Sequence, residues 1–297
     1  MSPGGHECLT YRKAHAHAAV QPLIVIGMHR SGTSVVMRCL EAMGIFCGAA
    51  LDDNHEPWFF ANLNNWLMRQ VGAEWDCPQP AIAYLKHPEL AEWSAQRLRD
   101  FLTSPRSWLF LGARRALTAR HAMALHEPWG WKDPRNTLTL PVWARVFPDA
   151  KVLVVHRHGM DVAESLRVRA SRMLGESKRR RADWWSPRPL AATNSARCLD
   201  LEGGLALWHE YVTLGEQALR SSGLRHMAIR FEELMEAPSK GLRDIASFAG
   251  ADVNDTHIER IVGTLRKERA FGYRATPSLV EFAHRNASTL AAEHYEP

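Results

Sequence analysis

The sequence predicts an α/β fold, a single doubly wound domain in which helices flank a central parallel β-sheet. Short apolar runs alternate with longer stretches of helical spacing over roughly 230 residues. The clearest strands are residues 23–26 and 151–156, and each leads into a glycine-bearing loop and a helical pattern. Residues 226–231 resemble a last strand. This alternation favours parallel strands joined by helices.

Composition sets outer limits on the function. The chain has 297 residues and a formal net charge of +5, which suits anionic ligands without requiring nucleic acid and is equally typical of a mixed surface. Five widely spaced cysteines show no zinc-finger spacing and predict a reducing compartment. There is no apolar run of membrane-spanning length and no signal peptide, so we expect a cytoplasmic protein without a metal site. Residues 1–20 predict a flexible tail, and 21–297 the α/β domain.

The first strand opens an anion-binding motif. The chain turns through Gly27 and Gly32, and a helix with apolar spacing begins at Thr33. Backbone N–H groups at a helix start favour a phosphate, which makes the predicted fold P-loop-NTPase-like. However, Thr33 occupies the position of the lysine that grips phosphate in nucleoside triphosphatases. The nearest cation is Arg30, inside the loop.

A cluster of charges follows the aromatic strand at residues 129–131. Lys132, Asp133 and Arg135 gather where Pro134 ends that strand. Ligands of open parallel sheets bind at such strand ends. The alternative is a structural ion pair between Asp133 and a nearby cation.

The strand at residues 151–156 leads into a second anion motif. Asp161 and Glu164 have the spacing of a capping box, which predicts a helix beginning at Asp161. Ser165 would then lie on its first turn, where its hydroxyl supports an anion held by Arg157.

The remaining segments are assigned by periodicity. Residues 108–111 resemble a short strand. Residues 171–198 combine a basic run with tryptophans, which is weak support for nucleic acid; we interpret them as a mobile insertion, a lid or an acceptor-binding surface. Helical patterns cover residues 63–71, 89–102, 113–125, 205–218, 238–248 and 258–265.

One ligand has to satisfy both anion motifs. An ATP kinase requires the missing lysine and a second metal motif, neither of which is present. An adenosine nucleotide with a short 5′ chain and a separate 3′-phosphate fits better. The first loop would hold the 5′ end, and Arg157 with Ser165 the 3′-phosphate.

These motifs together resemble the sulfotransferases that use 3′-phosphoadenosine 5′-phosphosulfate. Gly27 to Ser34 is similar to the family's 5′-phosphosulfate loop, and Arg157 with Ser165 to its 3′-phosphate motif. Lys132-Asp133-Pro134 resembles a segment of Golgi-type and bacterial members whose lysine faces the transferring group. The resemblance covers about residues 22 to 250 and includes two further segments, at 208–211 and 231–238.

The resemblance implies sulfuryl transfer to an acceptor hydroxyl, less often an amine, without a metal. Arg30 and Lys132 would stabilise charge on the leaving phosphate. Glu56 is the proposed base and His55 the alternative. Another alignment places the acid at Ala61, where it would be missing. The implied nucleotide-binding residues are Arg30, Ser31, Gly32, Thr33, Ser34, Arg157 and Ser165.

Two other functions remain open, a kinase or nucleotidase with a degenerate loop and a catalytically silent nucleotide-binding protein. The predicted partner is a small-molecule or glycan acceptor rather than nucleic acid or membrane. Tryptophans suited to stack on an acceptor are Trp58, Trp66, Trp184 and Trp185, although core packing is at least as good an explanation for Trp66. Oligomeric state is not predicted.

Overall fold

The computed structural model describes residues 19–179, 192–266 and 270–297. Four parallel strands form one sheet in the order β2-β1-β3-β4. Their bounds are β1 Leu23–Ile26, β2 Gly130–Lys132, β3 Lys151–His156 and β4 Arg225–Arg230. Successive residues of a strand face opposite sides of a sheet, so the uninterrupted apolar runs of β1 and β3 require cover on both faces.

Helices supply that cover and make the domain doubly wound. Their bounds are α1 Thr33–Ala42, α2 Trp58–Arg69, α3 Gln79–Leu85, α4 Pro88–Thr103, α5 Trp108–Ala119, α6 Asn136–Val146, α7 Gly159–Arg179, α8 Leu201–Ser222, α9 Phe231–Glu236, α10 Pro238–Ala249, α11 Asp255–Val262, α12 Pro277–Arg285 and α13 Ala287–Ala292. Ile24 and Ile26 pack with α2, α4, α5 and α6 on one face. Leu23 and Val25 pack with α1, α9, α10 and α11 on the other. The predicted fold class is confirmed.

Strand order positions the candidate site. Within the sheet, β2 pairs with one edge of β1 and β3 pairs with the other edge. The loops that leave β1 and β3 therefore diverge at a switch in strand order, where open α/β sheets leave a crevice beyond the carboxyl ends of the strands. The two predicted anion motifs follow these two strands and meet there.

The strand predicted at residues 108–111 is wrong, because these residues open helix α5. About half of the Trp108 and Leu109 surfaces is exposed, whereas Phe110 and Leu111 are buried. A segment with one buried side and one exposed side suits a helix on the surface. It does not suit a strand inside the sheet, which is covered on both faces. Gly112, with φ 71° and ψ 166°, interrupts α5, so the helix predicted over residues 113–125 begins where predicted but ends at Ala119, followed by a 3₁₀ turn at Ala122–Ala124.

The capping box predicted at Asp161 is also wrong. Helix α7 begins at Gly159, which puts Ser165 in its second turn. The Asp161 carboxylate accepts instead from the Tyr273 N–H at 2.9 Å and pairs with Arg157 at 3.1 Å. Glu164 pairs with Arg167. Tertiary partners outcompete the local cap.

The insertion predicted over residues 171–198 is only partly described. Helix α7 includes residues 171–179, so the break in regular structure predicted there is wrong. Residues 180–191, including Trp184 and Trp185, lie outside the described residues, as do residues 1–18 of the predicted tail. Within the described ranges, every helix is too short or too polar to span a bilayer.

Candidate active site

The loop between β1 and α1 is held in one conformation by two glycines. Gly27 has φ 144°, and a Cβ there would lie 2.4 Å from the Val155 carbonyl oxygen. Gly32 has φ 95°, and its Cβ would lie 2.3 Å from the Phe231 ring. Both positions exclude a side chain by space and by backbone angle. Gly32 is the N-cap of α1 and has no side chain to accept from the first-turn N–H groups, which suit an anion.

The other loop residues divide between the cavity and the interior. Thr33 and Ser34 line a cavity of about 410 Å³ above the loop. The Ser34 hydroxyl donates to the Asn54 carbonyl at 2.8 Å. Ser31 is buried behind the loop, with its Oγ 3.0 Å from the Cβ position of Gly27. Ser31, predicted as a nucleotide-binding residue, therefore packs under the loop and does not line the cavity.

The structure brings the second predicted anion motif against the first. The Arg30 Nε donates to the Ser165 hydroxyl at 2.8 Å. The Arg157 guanidinium donates to the Arg30 carbonyl at 3.1 Å, pairs with Asp161 and lies over the Phe231 ring at 4.9 Å. Residues far apart in the sequence thus form one cationic wall.

A buried ion pair lies at the end of β2. Lys132 is 1% exposed, and its Nζ lies 2.9 Å from the Glu56 carboxylate and 3.3 Å from the Ser34 hydroxyl. Arg135 lies 3.6 Å from the other Glu56 oxygen. Glu56 directly precedes α2, so the chain after α1 returns over the phosphate loop. The pair links β2, the loop before α2 and the start of α1.

The surroundings of Glu56 favour its protonated form. Burial, the largest cause, and the neighbouring Asp133 charge raise the pKa of Glu56 to about 7, although Lys132 opposes them. A carboxyl group whose pKa lies near neutrality exchanges a proton readily under cellular conditions. Glu56 thus has the properties of a general base beside a fixed cation.

Asp133 and Arg135 support this arrangement from below. Asp133 is fully buried and accepts from the Arg135 Nε at 2.8 Å and from the Asn64 side chain at 2.9 Å. Asn64 also accepts from Thr139 and Trp143. Asp133 thus forms the structural ion pair that was the alternative prediction for this segment. Its neighbour Lys132 lines the cavity.

His55 and Ala61 do not join this cluster. His55 has φ 59°, its Nδ1 lies 3.0 Å from Glu41, and it does not line the cavity. Phe60 stacks on Trp131 at 4.1 Å, and the adjacent Ala61 is buried in the same layer. Position 61 is buried and does not line the cavity, whereas Glu56 lines it beside Lys132; Asp52 and Asp53 line it as well.

The cavity is also lined by residues that sequence reasoning did not assign to a site, among them His29, Trp75, Arg169 and Asn194. Of these four residues, only His29 lies within a recognised motif, and its position beside Arg30 was the one signal in the sequence that it lines the site. A neighbouring cavity of about 650 Å³ shares Val35, Arg38 and Phe231 with the first and is also lined by His257 and Arg260. Among the described residues, no group of three or more His, Cys, Asp or Glu side chains is arranged to hold a metal.

The model of the sulfotransferase family matches residues 22–255, which include every part of this cluster. The chain belongs to the sulfotransferase family. Membership of this family identifies the protein as a transferase. No curated protein matches the chain.

The chain is similar to several solved sulfotransferases at low identity. The sulfotransferase domain of the Synechococcus PCC 7002 olefin synthase is 16% identical, with 83% of this chain and 79% of that domain covered and a TM-score of 0.42. Sulfotransferase STF1 of Mycobacterium tuberculosis H37Rv is 15% identical, with 86% and 78% covered and a TM-score of 0.40. STF9 of Mycobacterium avium is 17% identical, with 90% and 77% covered and a TM-score of 0.41.

Proposed function

We propose that the protein transfers the sulfuryl group of 3′-phosphoadenosine 5′-phosphosulfate to an acceptor hydroxyl. One observation carries the proposal: the phosphate loop, Arg157 and the Lys132–Glu56 pair line one cavity, and Ser165 accepts a hydrogen bond from Arg30 of that loop. A donor with two separate anionic ends uses all three parts. A nucleoside triphosphate leaves the second anion site without a purpose.

The donor's 5′ end is assigned to the loop Gly27 to Ser34. Backbone N–H groups and the helix dipole stabilise phosphate oxygens there without a lysine, because no γ-phosphate has to be gripped. The 3′-phosphate is assigned to Arg157 and Ser165. The neighbouring cavity of about 650 Å³, with the Phe231 ring between the two spaces, is assigned to the adenosine.

Glu56 is assigned as the base in the transfer step. It takes the proton of the acceptor hydroxyl as the acceptor oxygen bonds to sulfur. The bond between sulfur and the 5′-phosphate oxygen breaks, and its electron pair stays on that oxygen. Lys132 and Arg30 stabilise the charge that develops there. The raised pKa of Glu56 suits a base that must accept a proton at neutral pH.

Thermal unfolding with two nucleotides separates this function from the alternatives. We expect 3′-phosphoadenosine 5′-phosphate to stabilise the protein by about 2.7 kcal/mol at a hundred times its Kd, equally with and without Mg²⁺. Mg-ATP at the same concentration should have much less effect. A rise in melting temperature with Mg-ATP alone would refute the proposal and favour a kinase or nucleotidase. Nucleotide binding without sulfuryl transfer to any acceptor would leave a catalytically silent binding protein.

A further inference from the structure

Three buried polar atoms without a hydrogen-bond partner among the described residues belong to side chains of the same cavity. They are the His29 Nε2 and both the amide nitrogen and the amide oxygen of Asn194. A buried polar group left unpaired is unfavourable and rare in folded proteins. Their concentration beside Glu56 and Lys132 indicates that they bind part of a ligand.

His29 lies in the loop between β1 and α1 and lines the cavity. Its ring packs edge-on against Trp75 at 4.6 Å and against Tyr211 at 6.2 Å. Burial lowers the pKa of His29 well below its usual range, and the charges of Arg135, Arg169, Lys132 and Arg30 lower it further. The imidazole is therefore neutral at physiological pH and offers an uncharged hydrogen-bonding nitrogen within a cationic wall.

Asn194 and Trp75 are each held in place by neighbouring contacts. Thr193 donates its hydroxyl to the Ala170 carbonyl at 3.3 Å, which ties the Asn194 segment to helix α7 beside Arg169. Tyr211 donates its hydroxyl to the Trp75 carbonyl at 2.7 Å. These contacts fix the backbone at Trp75 and beside Asn194, and the nucleotide assignment uses neither side chain.

The chemistry of this surface selects among acceptor classes. A protonated amine is disfavoured because four cations surround His29. An alkyl chain leaves the imidazole and amide atoms unpaired. A neutral molecule with several hydroxyl groups both donates and accepts, which matches a neutral imidazole and a complete amide. An indole ring beside them packs against the apolar C–H face of such a molecule.

We propose that the acceptor is a compact sugar-type polyol whose hydroxyl groups bond to the His29 Nε2 and the Asn194 amide while its C–H face packs on Trp75. This inference rests on the sulfotransferase function proposed above. It assigns His29 and Asn194 to acceptor recognition and leaves donor binding to the phosphate loop and Arg157.

Sulfuryl transfer to matched acceptors tests the inference. Labelled donor is offered with p-nitrophenyl glycosides of several common hexoses and, separately, with 1-hexanol and hexylamine. We expect transfer to at least one glycoside and little to the other two. His29→Phe keeps the ring but removes its nitrogens, and Asn194→Ala removes the amide. Each should lower kcat/KM for the glycoside by about tenfold or more and change the Kd of 3′-phosphoadenosine 5′-phosphate less than about twofold.

The matched control is His121→Phe. His121 also has a buried ring nitrogen without a hydrogen-bond partner among the described residues, but it lies after α5, away from the cavity. The control should keep wild-type kcat/KM, and Asn194→Ala carries the test if His29→Phe fails to fold. Transfer confined to hexanol or hexylamine, transfer to no glycoside, or unchanged kcat/KM in both variants would overturn the inference. Failure of the wild type to bind the nucleotide would instead overturn the proposed function.

Discussion

The proton affinity of Glu56 is the property that a single substitution tests most directly. Burial and Asp133 raise the pKa of Glu56 to about 7, and Lys132 holds it down from 2.9 Å away. Lys132→Met keeps an unbranched side chain of similar length and removes the charge. A nearby opposite charge lowers a carboxyl pKa by about one to three, so the loss of the Lys132 charge should raise the pKa of Glu56 well above 7.

This pKa is measured by NMR on protein labelled with ¹³C at the glutamate side-chain carboxyl, which requires no acceptor. The signal absent from Glu56→Gln identifies Glu56. Its midpoint should lie near 7 in the wild type and rise in Lys132→Met. Lys151→Met is the control, because the Lys151 ammonium bonds to the Phe248 carbonyl at 2.8 Å and makes no contact with Glu56.

The same titration governs activity if Glu56 is the base. The base works only when deprotonated, so kcat/KM should rise with pH through about 7 and level off above it. In Lys132→Met this midpoint should move to higher pH along with the NMR signal. Glu56→Gln should reduce turnover about 10²- to 10⁴-fold and abolish this pH dependence. A wild-type midpoint between 4 and 5, or no upward movement in Lys132→Met, would refute the reasoning.

Two further substitutions test the nucleotide site. Arg157→Ala should weaken binding of 3′-phosphoadenosine 5′-phosphate by about 10- to 100-fold in calorimetry, because charge-assisted hydrogen bonds to the 3′-phosphate are lost, and should affect adenosine 5′-phosphate less than about threefold. The control is Arg167→Ala, which removes an exposed partner of Glu164 on helix α7 and should leave the affinity for both nucleotides unchanged. Equal weakening of both nucleotides by Arg157→Ala would contradict the assignment. Gly32→Ala should abolish detectable nucleotide binding, because its Cβ would lie 2.3 Å from the Phe231 ring. Gly44→Ala, whose φ is 86° but whose Cβ meets nothing within 4 Å, should cost only about 1–2 kcal/mol of stability in urea unfolding and keep nucleotide affinity; similar affinities in the two variants would count against the loop's role.

Local patterns were sufficient for the features that depend on neighbouring residues. The apolar runs of β1 and β3 predicted buried parallel strands, and Pro134 correctly ended β2 beside Lys132. The glycine spacing predicted a loop that leads into α1. These signals reside in a few consecutive residues, because backbone preferences and side-chain alternation act over that range.

The predicted cap at Asp161 and the predicted strand at Trp108 were wrong because long-range contacts outweighed local preferences. Asp161 has the spacing of a cap, yet a guanidinium and a backbone N–H from elsewhere bind its carboxylate. Trp108 and its neighbours have strand-like composition but lack a buried position in the sheet. Burial and long-range hydrogen bonds outweigh propensities of a few tenths of a kcal/mol per residue.

The sequence alone predicted two anion motifs, each after a strand of a parallel sheet, and a lysine at the end of a third strand; that the first two strands are neighbours came from the structure. Only the tertiary structure showed that Glu56, rather than the adjacent His55, lines the cavity. The positive φ of His55 accompanies a ring directed to Glu41, whereas Glu56 is enclosed beside Lys132 and Asp133. Which neighbour reaches the cavity depends on groups more than seventy residues away, and burial among those groups raises the pKa of Glu56.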